Sequence, residues 1–211
     1  MDKNEMMIMA VSLNNLFSGD HFEGFSPKQV IDFENRILNS FQWMKRGIAE
    51  KNYDFKQPIG YAVIINPQAK KVYAYRRASD ENYDDERLRG KWSWGVGGHI
   101  NQPDHSDKED NPIHVSLLRE LEEEVEFVNF TYISPKVLGY VNSEKDDISR
   151  VHLGVLYVIE TDAEQVKPKD KESTKGSFMI LEELKEILAN PDCIVEEWSK
   201  IAYEALLEIF R

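Results

Sequence analysis

The sequence predicts a mixed α/β (α+β) fold, and three observations lead there. Short apolar runs with strand-like alternation cluster around residues 60–75 and 137–159. Stretches with apolar residues at three- and four-residue spacing lie before, between and after them. Hydrophobic residues make up 41% and aromatics 11% of 211 positions, enough for a packed core in one domain with an extension.

Met6 to Val11 is an apolar run too short for a typical helix and reads as a buried strand. Phe22 to Pro27 has loop chemistry. Val30, Phe33, Ile37, Leu38 and Phe41 then give Lys28 to Ile48 a helical pattern, with Ser26 as N-cap and Pro27 behind it. Gly60 to Ile65 is a strand, Asn66 to Ala69 a turn, and Lys71 to Tyr75 an alternating second strand ending at Arg76-Arg77. Ala78 to Gly90 is charged and loop-like, and Trp92 to Gly98 is glycine-rich. Asn111-Pro112 opens the best-marked helix, running to Val125. Val137 to Val141 and Val151 to Ile159 are strands around the polar loop Asn142 to Arg150. Leu181 to Leu188 and Val195 to Phe210 close the chain as amphipathic helices. Residues 1–56 are expected to form a strand-plus-helix extension packed on a main domain of residues 57–211.

A net charge of −12 sets the surface against nucleic-acid backbones and anionic lipid, so neither is an expected partner. A small basic pocket for a phosphate is compatible with that charge. Cys193 stands alone, which excludes an internal disulfide and a multi-cysteine zinc site. The first residues lack a signal-peptide pattern and no apolar run approaches ~18 residues, so a cytoplasmic location is expected.

On the helix from Asn111, Leu117, Leu118, Leu121 and Val125 form an apolar stripe. Glu120, Glu123 and Glu124 fall at i, i+3 and i+4, so their carboxylates share another face. Such clustering costs an isolated helix a few tenths of a kcal/mol per pair, which a divalent cation would offset. All-oxygen ligands suit Mg²⁺ or Mn²⁺ better than zinc. A plain solvated acidic face fits the same triplet. Ahead of it, Gly95, Gly97 and Gly98 interrupt a strand-like stretch with Trp92, Trp94, Val96 and Ile100, where backbone could approach a ligand closely.

Together these elements resemble the Nudix box. In that family a glycine, usually the second of a pair, is followed six positions later by a glutamate. A helix carrying Arg-Glu-apolar-any-Glu-Glu-any-Gly-apolar comes next. Gly97-Gly98 match the pair, and Arg119, Glu120, Leu121, Glu123, Glu124 and Phe127 match the helix. The first glutamate position falls on Asp104, six from Gly98. Asp104 to Arg119 spans 15 positions where the box has 8, leaving seven extra residues within His105 to Asn111. Glu126 replaces the family's glycine, so the helix either ends differently or continues half a turn. The order of elements is matched from about Gln57 to Arg211, the motif over about 30 residues. Lys56 to Tyr61, Arg76-Arg77 and Lys91 to His99 resemble a Nudix subgroup known only as predicted phosphoesterases.

The resemblance implies a mixed sheet sandwiched between helices, and hydrolysis of a diphosphate in a nucleoside diphosphate linked to another group. It implies Mg²⁺ (or Mn²⁺) held by Glu120, Glu123, Glu124 and the Gly97 carbonyl, with Arg119 orienting a neighbouring glutamate. The general base is either a box glutamate or a remote carboxylate from Glu144, Asp146 and Asp147, of which Glu144 is the candidate. Arg76 or Arg77 is a candidate for the substrate's phosphate, alternation allowing one inward. A homodimer is a family-level expectation. His99 and His152 read as structural histidines that nothing pairs into a zinc site, and Trp92 and Trp94 as core. Two other functions fit the same fold. A diphosphate isomerase needs a cysteine near the first half of the box, where this chain has none; a sensor domain usually loses the helix glutamates, which this chain keeps.

Overall fold

The computed structural model describes residues 2–79, 86–105, 111–169 and 173–210, with only the backbone of 173–175. Part of the expected charged loop (80–85) and most of the box insertion (106–110) lie outside the described residues. In chain order come β1 (Met7–Ser12), α1 (Leu13–Phe17), β2 (Gly24–Pro27), α2 (Phe33–Ser40), β3 (Gln42–Lys45) and α3 (Arg46–Ala49). Then follow β4 (Phe55–Asn66), β5 (Lys71–Arg77), β6 (Trp92–Ser93), α4 (Pro112–Glu124), β7 (Val125–Val128) and β8 (Ile133–Asn142). The chain ends with α5 (Asp147–Val151), β9 (His152–Thr161), β10 (Gln165–Pro168), β11 (Ser173–Ile180), α6 (Leu181–Ala189) and α7 (Glu197–Ile209). The fold is α+β, as expected, around a large sheet of path β11-β5-β4-β9-β8-β2. Strands β1 and β6 add to β4 and β5, and β3 to β1. No helix among the described residues is long and apolar enough to cross a membrane.

The chain forms two compact units. One comprises Met1–Tyr61, Gly97–Arg119 and Val137–Leu156; the other comprises Ala62–Val96, Glu120–Lys136 and Tyr157–Arg211. Strands β4, β8 and β9 and helix α4 run through both. In the first unit β1 pairs with β3 and with the start of β4, and Met9 N–H donates to Ile100 O at 2.9 Å. Ile8, Ala10, Val11, Phe33 and Ile37 are fully buried, so the N-terminal residues are core here. The second unit's core holds Tyr73, Tyr75, Trp94, Leu184, Ala202 and Leu206.

The N-terminal helix differs from the expected one. Ser26 and Pro27 belong to β2, paired antiparallel to β8, and α2 starts instead at Asp32, whose carboxylate accepts from Asn35 N–H. Val30 is left exposed, and the chain turns extended after Ser40 to make β3. Strand pairing of Phe25 and Trp43 outweighs a helical spacing that is only partly filled. Leu118, placed on the apolar stripe by spacing, is 43% exposed, whereas Leu117, Leu121 and Val125 are buried. The Asn66–Ala69 turn forms, with Asn66 Oδ1 accepting from Ala69 N–H at 3.0 Å.

Candidate functional site

Gly97 is fixed by sterics in the first unit: a Cβ there would lie 2.2 Å from Gly60 O, so no side chain fits. The following backbone is anchored to the first half of α4. His99 O accepts from Ser116 Oγ at 3.3 Å and from an Arg119 guanidinium nitrogen at 3.1 Å. Arg119 also grips Asp104 through both carboxylate oxygens, at 2.8 and 3.0 Å, and Asp104 Oδ2 accepts from Asn101 N–H at 2.7 Å. Asp104, shorter than the glutamate of the box, thus sits buried as the partner of Arg119.

Both ends of the insertion are tied down. His105 lies edge-on to Phe41, with ring centres 5.6 Å apart, and near Trp43. Asn111 caps α4, its Oδ1 accepting from Ile113 N–H at 3.0 Å while its amide donates to buried Glu34 at 2.7 Å.

Glu120, Glu123 and Glu124 occupy the last turn of α4, in the second unit. Glu123 is exposed and the other two half-buried. The helix ends at Glu124 without a left-handed residue. Glu126 goes directly into β7, paired opposite Lys167, so the missing box glycine costs no strain. The loose carbonyls of Glu122 and Glu124 are taken by Lys169, through Nζ at 2.7 Å and N–H at 2.8 Å.

The remaining sequence candidates have firm structural partners. Glu144 accepts from the Nζ of fully buried Lys56 at 2.8 Å. Desolvation pushes the Lys56 ammonium below its ordinary pKa, against the pull of Glu144. Asp146 caps α5, accepting from Ser149 N–H at 2.7 Å. Arg77 points inward and pairs with Glu196, which also accepts from Ser93 Oγ at 2.9 Å. Arg76 is exposed, its Nε donating to Gly90 O at 2.9 Å. Trp94 is buried against Tyr203, as core packing predicts. Trp92 instead lines a cleft of the second unit with Met179, Glu183, Glu186, Ile187 and Cys193. Its two carboxylates disfavour an anionic guest there.

Spacing gave no hint of a further polar cluster in the first unit. His99 and His152, expected to be structural histidines that nothing pairs into a zinc site, bring their Nε2 atoms within 3.2 Å. Glu50 Oε1 lies 3.6 Å from the first and 4.0 Å from the second. The three residues come from α3's end, the glycine stretch and β9, so no local pattern could signal them. His99 is held well below the usual histidine pKa, first by desolvation and then by His152 and Arg46.

No family model matches the chain. It is 29% identical to Protein YmaB of Bacillus subtilis (strain 168), over 98% of this chain and 100% of the relative. Among solved structures it matches Tm1382, assigned provisionally as a Nudix hydrolase, with a TM-score of 0.78 and 28% identity. That match covers 97% of this chain and 100% of the other. The NUDIX domain of Shewanella oneidensis NrtR, crystallised with ADP-ribose, matches in fold at TM-score 0.50 and 18% identity, over 74% of this chain and 89% of that one.

Proposed function

Because the chain belongs to the Nudix family, we propose that it is a hydrolase of a nucleoside diphosphate linked to a second group, with water attacking phosphorus. The observation that carries this reading is the last turn of α4, where three carboxylates are kept at i, i+3 and i+4 although one lysine there would steady the helix. Their oxygen donors suit a hard divalent ion, to which the family resemblance adds the carbonyl of Gly97. Mg²⁺ held there supplies positive charge against the charge developing at phosphorus and makes nearby water more acidic.

Within this proposal Glu120, Glu123 and Glu124 bind the ion, and Glu120 or Glu123 takes the proton from the attacking water. Glu144 is the less suited base of the set, because its carboxylate is already engaged by the Lys56 ammonium at 2.8 Å. Arg119 acts by positioning: bound to Asp104 and to His99 O, it ties the start of α4 to the glycine stretch. Of the two arginines, Arg76 is the one presented to solvent, and it is our candidate for a substrate phosphate. Residues 57–211 are assigned as the hydrolase domain and 1–56 as an extension packed against it. The cysteine an isomerase would need is not in the glycine stretch; Cys193 lies in the turn after α6.

The test is a panel of nucleoside-diphosphate derivatives, with ADP-ribose among them, assayed for phosphate-bond cleavage with Mg²⁺, with Mn²⁺ and with chelator. Turnover of at least one compound that chelator abolishes supports the reading. Tight binding with no turnover across the panel contradicts it and favours a sensor domain.

A further inference from the structure

Two neutral imidazoles rarely point the same nitrogen at each other beside a carboxylate without a shared proton or a cation. His152 Nδ1 lies 2.7 Å from Ile148 O, which can only accept, so the ring's proton sits on Nδ1 and Nε2 carries a lone pair. That lone pair faces His99 Nε2 at 3.2 Å and the Glu50 carboxylate at 4.0 Å. Gln57, wholly buried, brings Oε1 to 2.8 Å from His99 Nε2, while its amide nitrogen has no hydrogen-bond partner. A hydrogen-bond chain from His99 to Gln57 accounts for one contact. It leaves a buried amide donor unpartnered and a lone pair aimed toward an anion.

We propose that Glu50, His99 and His152 form a binding site for one borderline divalent transition-metal ion, of which Zn²⁺ is the reference. Ligand atoms about 2.05 Å from a tetrahedral zinc lie about 3.3 Å from one another. The observed separations of 3.2, 3.6 and 4.0 Å form a slightly open version of that triangle. Closing it needs a few tenths of an ångström, mostly from Glu50, whose carboxylate also pairs with Arg46 Nε at 3.5 Å. The Ile148 carbonyl fixes the tautomer and orientation of His152, the role an outer hydrogen bond plays for a ligating histidine. Three protein ligands leave a fourth position for Gln57 Oε1 or water. Two imidazoles make the site prefer zinc-like ions over Mg²⁺, so it differs in chemistry from the all-oxygen set on α4.

The experiment is calorimetric titration of chelator-stripped full-length protein with Zn²⁺, beside Co²⁺ titration followed by visible absorption. One ion per chain at micromolar affinity or tighter, undiminished by millimolar Mg²⁺, is expected. Co²⁺ should develop the bands of a nitrogen-ligated, low-coordinate ion. Glu50→Gln and His99→Gln should each weaken Zn²⁺ by roughly ten-fold or more. Both are to be checked for native circular dichroism. Glu123→Gln should bind Zn²⁺ as the wild type does, which separates this site from the α4 reading. Absence of Zn²⁺ binding in the wild type, absence of the Co²⁺ bands, or full affinity in both folded variants overturns the proposal.

Discussion

At the scale of single residues, the glycine stretch and the box arginine behave as packing and anchoring parts. Gly97 is dictated by the oxygen of Gly60, and Arg119 by a buried aspartate and a carbonyl. The glycines were legible in the sequence as a place of close backbone approach. Which atom approaches was not, because Gly60 is 37 positions earlier. His99 gives a pH signature. Its folded-state pKa lies well below the ordinary histidine value of about 6.5, so the unfolded chain binds a proton that the folded chain refuses. The associated stability is present above about pH 6.5 and is lost as pH falls through the window beneath it. In chelator, urea unfolding should therefore show wild-type stability falling as pH drops below about 6.5. His99→Gln should flatten that limb; an unchanged slope would remove His99 as its source.

Among the elements, α4 was the clearest in the sequence because its start is written in local chemistry. Asn111-Pro112 gives both cap and first residue, and the structure keeps them. The N-terminal helix was misread for the opposite reason. Its apolar spacing is local, but the pairing of β2 with β8 and of β3 with β1 is not. Strands β7, β10 and β11 likewise lack strong alternation and owe their form to partners distant in sequence. Asn111→Ala should cost about 1–2 kcal/mol, from the lost cap and the lost donor to Glu34. Chemical denaturation reads this directly, and a loss under a few tenths would contradict the capping role.

For the whole molecule, the N-terminal residues are part of a compact unit that also holds Gly97–Arg119 and Val137–Leu156. The match to Tm1382 likewise runs over 97% of the chain. Deleting residues 1–56 would remove Ile8, Ala10, Val11, Phe33 and Ile37 from a core where each is fully buried. The truncated chain should fail to show a cooperative thermal transition; a sharp transition near that of the full chain would mean the extension is dispensable. The central claim is that the α4 carboxylates do the hydrolytic work, and it is tested most directly by turnover of Glu123→Gln and Glu124→Gln on whichever compound the wild type cleaves with Mg²⁺. Each variant should lose orders of magnitude in kcat while keeping the wild-type circular dichroism and melting temperature. Full activity in both would contradict the account.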